Sequence, residues 1–132
     1  MLNNGASNNT LLLLARILLA IIFIWAGYGK LMSLTGTAGY FTSLGIPAAS
    51  IVAPLTGLVE LIGGLLILVG FQTRYAALVL AIFTIAAALV AHLNFGDRGQ
   101  TIHLTKNLAI AGGFLALIAA GAGTYSMDAR KG

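Results

Sequence analysis

Glu60 is the one acidic residue between Met1 and Phe95, and it stands in the middle of an apolar stretch. Upstream, no charge occurs between Lys30 and Glu60; downstream, the next is Arg74. An ionisable group near the centre of a bilayer costs roughly 2.5–3.5 kcal/mol on insertion scales, so it normally has a partner and faces a bundle interior or a pocket. Its helical neighbours are Gly57 at i−3, Gly63 at i+3 and Gly64 at i+4. Glycines around a carboxylate let another helix come close, or leave room for a ligand.

Two cations can reach it, and both lie upstream. Arg16, Ala20, Phe23, Gly27 and Lys30 fall within about 40° of one line at about 100° per residue. One helix stripe therefore carries a cation near each end and mostly small residues between. The bland alternative is that both cations snorkel to nearby headgroups. If the stripe faces inward, Arg16 is the preferred partner for Glu60, because a guanidinium fork can hold a carboxylate through two hydrogen bonds. Lys30 is the other candidate. The pair then either serves a ligand or simply fixes helix register, since structural ion pairs are also perturbed charges.

The remaining polar chemistry gathers on the side of the membrane opposite the termini. His92, His103, Lys106 and Asn107 surround Asp97 and Arg98, and Lys30 is expected at the same depth. Two histidines invite a metal or haem, but no pair has i, i+4 spacing and no carboxylate motif accompanies them, so no metal ligand set is expected. Trp25 and Tyr28 read first as an interfacial aromatic belt. Beside Lys and His they would also suit the walls of a quinone-headgroup pocket, which combines apolar surface with a few polar groups. The expected ligand-binding residues are thus Arg16, Lys30, Glu60, His92, His103, Lys106 and Asn107, with Trp25 and Tyr28 as lining. No catalytic residue is assigned.

These residues need apolar elements to position them. The chain has 132 residues, 59% hydrophobic and 8% charged, with mean hydropathy +0.99. A soluble domain carries about 25% charged residues, so this chain cannot cover itself with a solvated surface. A spanning helix needs about 20 mostly apolar residues, and four segments qualify: about 11–31, 49–69, 75–93 and 105–122. The expected fold is an all-α membrane protein, a four-transmembrane-helix bundle in a single membrane domain over 1–132. Thr35-Gly36-Thr37, Gly45-Ile46-Pro47, Gly70 to Thr73 and Gly96 to Gly99 read as loops between the spans. Pro54 falls in the first turn or two of the second helix, where a missing N–H does less damage. Ala77, Ala81, Thr84, Ala88 and Ala91 form a small-residue stripe for close helix contact. Ala109 and Gly113 repeat the pattern in the fourth span.

Several classes drop out. There is no cysteine, so disulfides, thiol redox centres and Fe–S clusters are excluded. The seven basic residues are scattered, which is not the footprint of a nucleic-acid binder. No nucleotide loop, nucleophile elbow or metalloprotease helix is present. Residues Leu2 to Thr10 carry no Lys or Arg, and the apolar stretch that follows exceeds a signal h-region, so it reads as a retained first span. Both termini and the loop between spans two and three share one side, with Arg16, Arg74, Arg130 and Lys131 against Lys30, Arg98 and Lys106 on the other. That bias places both termini in the cytoplasm.

The ordered pieces Ala15-Arg16-Ile17, FIWAGYGK over Phe23 to Lys30, Leu44-Gly45-Ile46-Pro47, Glu60 with Gly63-Gly64, Gly70-Phe71-Gln72-Thr73-Arg74, Lys106-Asn107-Leu108, Gly112-Gly113 and a closing run from Gly121 to Asp128 resemble the DoxX family of small bacterial membrane proteins. The resemblance covers about residues 15–128. It implies a four-helix bacterial inner-membrane protein and a naming link to quinol oxidation and thiosulfate:quinone oxidoreductase. It also implies Arg16, Lys30, Glu60, Lys106 and Asn107 as family-type polar positions. The function expected is an accessory or quinone-interacting subunit of a membrane oxidoreductase system, with quinone as the possible cofactor and a larger oxidoreductase or a second copy as the possible partner. Small-molecule binding or permeation by an oligomer, and a non-catalytic scaffold or assembly factor, are the other classes.

Overall fold

The computed structural model describes residues 5–91 and 98–131. The order is α1 (Gly5–Met32), α2 (Leu34–Ser43), α3 (Ala49–Val69), α4 (Thr73–Ala91), α5 (Arg98–Ala120) and α6 (Met127–Lys131). Four of these are long and apolar enough to cross a membrane: Asn8–Met32, Ala49–Val69, Thr73–Val90 and Ile102–Ala120. The all-α membrane fold expected from hydropathy is the one observed.

Helices dominate because lipid offers no partner for a backbone N–H or C=O, and a helix satisfies both internally. Where a helix ends, its last carbonyls need other donors. At the end of α3, Gly70 adopts φ +71, and Phe71 N–H turns back to Leu66 O at 3.0 Å. The left-handed conformation suits a residue without Cβ. Pro54 sits inside α3, early enough that the chain tolerates its missing donor.

The helices run alternately up and down. α1 packs most extensively against α3, and α4 against α5, with a slighter contact between α3 and α4. Ala20, Phe23, Ile67, Ala77, Leu80, Phe114 and Leu117 form the main core across all four spans. Phe23 and Phe114 meet at a centroid distance of 5.4 Å, tilted by 57°. On α4 the small-residue stripe faces inward as expected: Ala77, Ala81, Thr84 and Ala88 are all buried. The side chain of Ala91 lies outside the described residues.

Two expected loops are helical. Thr35-Gly36-Thr37 belongs to α2, a ten-residue helix between the first two spans. Its Phe41 packs with Ala49 and Ala53 of α3, joined by Ala38 and Ile46. Tertiary docking of this apolar face outweighs the low helix propensity of the Thr-Gly-Thr run. Arg98 and Gly99 likewise start α5 rather than sit in a loop. Gly96 and Asp97 lie outside the described residues.

Candidate functional site

The site begins with a missing side chain. A Cβ placed on Gly27 would stand 2.5 Å from Leu61 N and 2.7 Å from Gly57 O. The backbones of α1 and α3 therefore touch, which only glycine allows. One turn to either side, Gly57 lies against Leu31 and Gly64 against Ile24. This antiparallel register carries Lys30 to the level of Gly57, and Lys30 Nζ reaches Glu60 Oε1 at 2.6 Å. The Glu60 side chain is 7% exposed and that of Lys30 28%. The carboxylate is sealed in the bundle while its ammonium still reaches the surface.

Arg16 is not the partner of Glu60. It shares the inward stripe, and it is fully buried, but it sits at the other end of α1. There the α3 terminus leaves carbonyls unpaired after the Gly70 turn. Arg16 Nη1 donates to Ile67 O at 3.3 Å and Leu68 O at 3.1 Å, and Nη2 donates to Tyr125 O. A cation on the negative end of a helix is favourable in its own right. The preference for Arg16 fails because its guanidinium is taken up by α3 carbonyls through Nη1 and by Tyr125 O through Nη2, at the end of α1 away from Glu60.

Asp128 completes this second node, and sequence reasoning gave it no role beyond closing the family pattern. Its carboxylate accepts from Gln72 N–H at 2.7 Å and Thr73 N–H at 2.8 Å, capping the start of α4. Its own N–H donates to Gly70 O at 2.8 Å. The Arg16 and Asp128 charges attract one another across the turn. The signal available was a lone Asp after a Gly-rich run, beside an α4 that has no acidic residue in its first turn.

Thr84 is a second residue that sequence reasoning assigned to packing alone. Leu80 of α4 packs on Gly63 of α3. One turn on, register sets Thr84 opposite Glu60, on the same inward face. Its Oγ1 is buried and makes no hydrogen bond among the described residues. Asn107 of α5 joins the layer, its Nδ2 donating to Thr84 O at 3.3 Å. Lys30, Glu60, Thr84 and Asn107 thus bring one polar side chain from each span to one depth, in the half of the bundle away from the termini.

The other expected residues do not join this layer. Trp25 is 79% exposed and Tyr28 56%, so both lie on the outward face of α1. The helix period explains it: the two residues flank Gly27, whose own face is taken by α3. His103 and Lys106 lie exposed on α5. His92 lies outside the described residues.

Residues 11–93 match the family model described as DoxX. The chain belongs to the DoxX family. Inner membrane protein YqjF of Escherichia coli strain K12 is 46% identical over 116 residues, 88% of each chain. Inner membrane protein YphA of the same strain is 37% identical over 131 residues, 96% of this chain and 94% of the relative. Putative oxidoreductase CatD of Bacillus subtilis strain 168 is 35% identical over 112 residues, 80% of this chain and 82% of the relative. No solved structure matches this chain. Within the DoxX family match fall Arg16, Lys30, Glu60 and Thr84, so the ion pair and most of its polar layer sit in the shared part of the chain.

Proposed function

We propose that this DoxX-family membrane protein is an accessory, quinone-interacting subunit of a membrane oxidoreductase system in the bacterial inner membrane. The observation that carries the proposal is the Lys30–Glu60 pair, with its carboxylate sealed and its ammonium 28% exposed. An ammonium has three donors, and Glu60 takes one. A quinone carbonyl arriving from the bilayer can accept another, with the apolar flanks of the helices against its ring. Glu60 then acts as a positioning residue that orients the ammonium. The name of the Bacillus relative points the same way. With no cysteine in the chain, electrons pass through the quinone and a larger partner. His103, Lys106 and Asn107 on α5 would shape the approach.

The test is titration of the lipid-reconstituted protein with a soluble ubiquinone analogue, followed by Trp25 fluorescence. Trp25 is the single tryptophan, and it stands on the same helix as Lys30. Saturable quenching is expected, and loss of saturation in a folded Lys30→Met, Glu60→Gln double variant. The absence of any saturable response in folded wild-type protein would leave the pair as a register-fixing contact and the chain as a scaffold.

A further inference from the structure

α3 and α4 leave a cleft of about 380 Å3 between them. Its walls are Leu55, Leu58, Val59, Ile62 and Val79, over a floor at Gly63. At the end nearer the termini it meets a polar pocket that contains Arg74, Gly121, Gly123 and Asp128. Gln72 and Tyr75 line both, so the two are one continuous surface with a polar head and an apolar trough. The trough extends from Leu66 to Leu55 along α3, about 16 Å at the helical rise. That is close to one leaflet of a hydrocarbon core roughly 30 Å thick.

The head of the cleft sits where phospholipid headgroups sit. Arg74 is the second residue of the span Thr73–Val90, and Tyr75 beside it is 72% exposed, as interfacial aromatics are. Arg74 Nε donates to Ile118 O at 2.9 Å, which holds the guanidinium over the pocket. The Asp128 carboxylate, which also lines the pocket, accepts from the two backbone donors at the start of α4, which offset part of its charge. A phosphate would meet a fixed cation, and guanidinium suits phosphate geometry.

We propose that this cleft is a specific site for one anionic phospholipid, its phosphate at Arg74 and one acyl chain in the trough between α3 and α4. A second copy of the chain is a poorer occupant. Helices associate in lipid through small residues that let backbones approach, whereas this trough is walled by branched aliphatic side chains that suit a flexible chain.

Native mass spectrometry of the full chain, released from micelles with phosphatidylglycerol or phosphatidylcholine of identical acyl chains, tests this. Phosphatidylglycerol should be retained about fivefold better, the factor for ~1 kcal/mol per basic residue at an anionic headgroup. Arg74→Gln should bring the two lipids to parity, and Arg74→Lys should restore most of the preference. Val79→Trp, which fills the trough, should lower retention of both. Equal retention of the two lipids by wild type, or an undiminished preference in folded Arg74→Gln, would overturn the site. So would a Val79→Trp variant that turns a dimer into a monomer without changing lipid retention, since a second copy would then own the cleft. If Arg74→Gln fails to fold, the wild-type comparison and Val79→Trp still decide.

Discussion

Lys30 and Glu60 join two antiparallel helices at 2.6 Å, beside the level where Gly27 lets the α1 and α3 backbones meet. Removing one partner leaves the other charge uncompensated, which in a buried pair costs about 3–5 kcal/mol. The partial exposure of Lys30 should bring the cost toward the lower end. Glu60→Gln is expected to melt markedly lower in detergent, and Lys30→Met, Glu60→Gln to recover part of the loss. Arg16→Met combined with Glu60→Gln should instead be additive, because Arg16 serves the far end of α3. Strict additivity for Lys30 with Glu60 would mean that the pair contributes no coupling.

Some glycines in this protein stand against a neighbouring helix and others face open space, so one substitution should act differently at the two kinds of site. Gly27→Leu and Gly64→Leu push into neighbouring helices, and overpacking of this kind costs about 1–3 kcal/mol or more. Ala88→Leu, on the buried face of α4, should behave similarly. A Cβ added at Gly112 would meet nothing within 4 Å, so Gly112→Leu should leave the melting temperature unchanged. Equal effects at Gly27 and Gly112 would show that the α1–α3 contact is not a close one.

Topology follows from the distribution of Lys and Arg. The weak excess on the side of the termini predicts that both are cytoplasmic. Reporter fusions after Lys131 and within 94–99 should report opposite sides of the membrane. A periplasmic carboxyl terminus would invert the orientation.

The inward stripe Arg16, Ala20, Phe23, Gly27 was legible because the helix period alone fixes which residues share a face. Which cation meets Glu60 was not. That depends on the axial register of α1 against α3, set by where Gly27 and Gly57 nest, and periodicity carries no such offset. α2 was hidden for a related reason. Thr35-Gly36-Thr37 has poor local propensity, and its helix is stabilised by Phe41 docking on residues of the next span. Asp128 was hidden by distance, since it caps a helix start 55 residues away in sequence.

That cap carries its own prediction. Asp128→Ala removes the acceptor for Gln72 and Thr73 N–H and the negative charge near Arg16. Loss of an N-terminal cap costs about 0.5–2 kcal/mol. The variant should melt lower, and its carboxyl-terminal segment should be cleaved sooner by a protease added on that side of the membrane. Asp128→Asn should retain part of the effect, because an amide oxygen still accepts one bond. Unchanged melting and cleavage in Asp128→Ala would show that the segment beyond Gly121 is held by other contacts.

Thr84 separates a polar layer that binds from one that only packs. Its hydroxyl is buried with no hydrogen bond among the described residues, one turn from the Leu80 contact with Gly63. Leaving a buried hydroxyl unsatisfied costs about 1–3 kcal/mol, so replacing it with a methyl of similar shape should not destabilise the bundle. Thr84→Val is therefore expected to melt at the same temperature or higher. If the layer takes a ligand carbonyl, the same variant should weaken the saturable quenching of Trp25 by a quinone analogue, since Thr84 Oγ1 is a donor available at that depth. A variant that is more stable and binds as wild type would assign Thr84 to the packing stripe of α4 and confine recognition to Lys30. A variant that is less stable would show that the hydroxyl already has a partner within the folded protein.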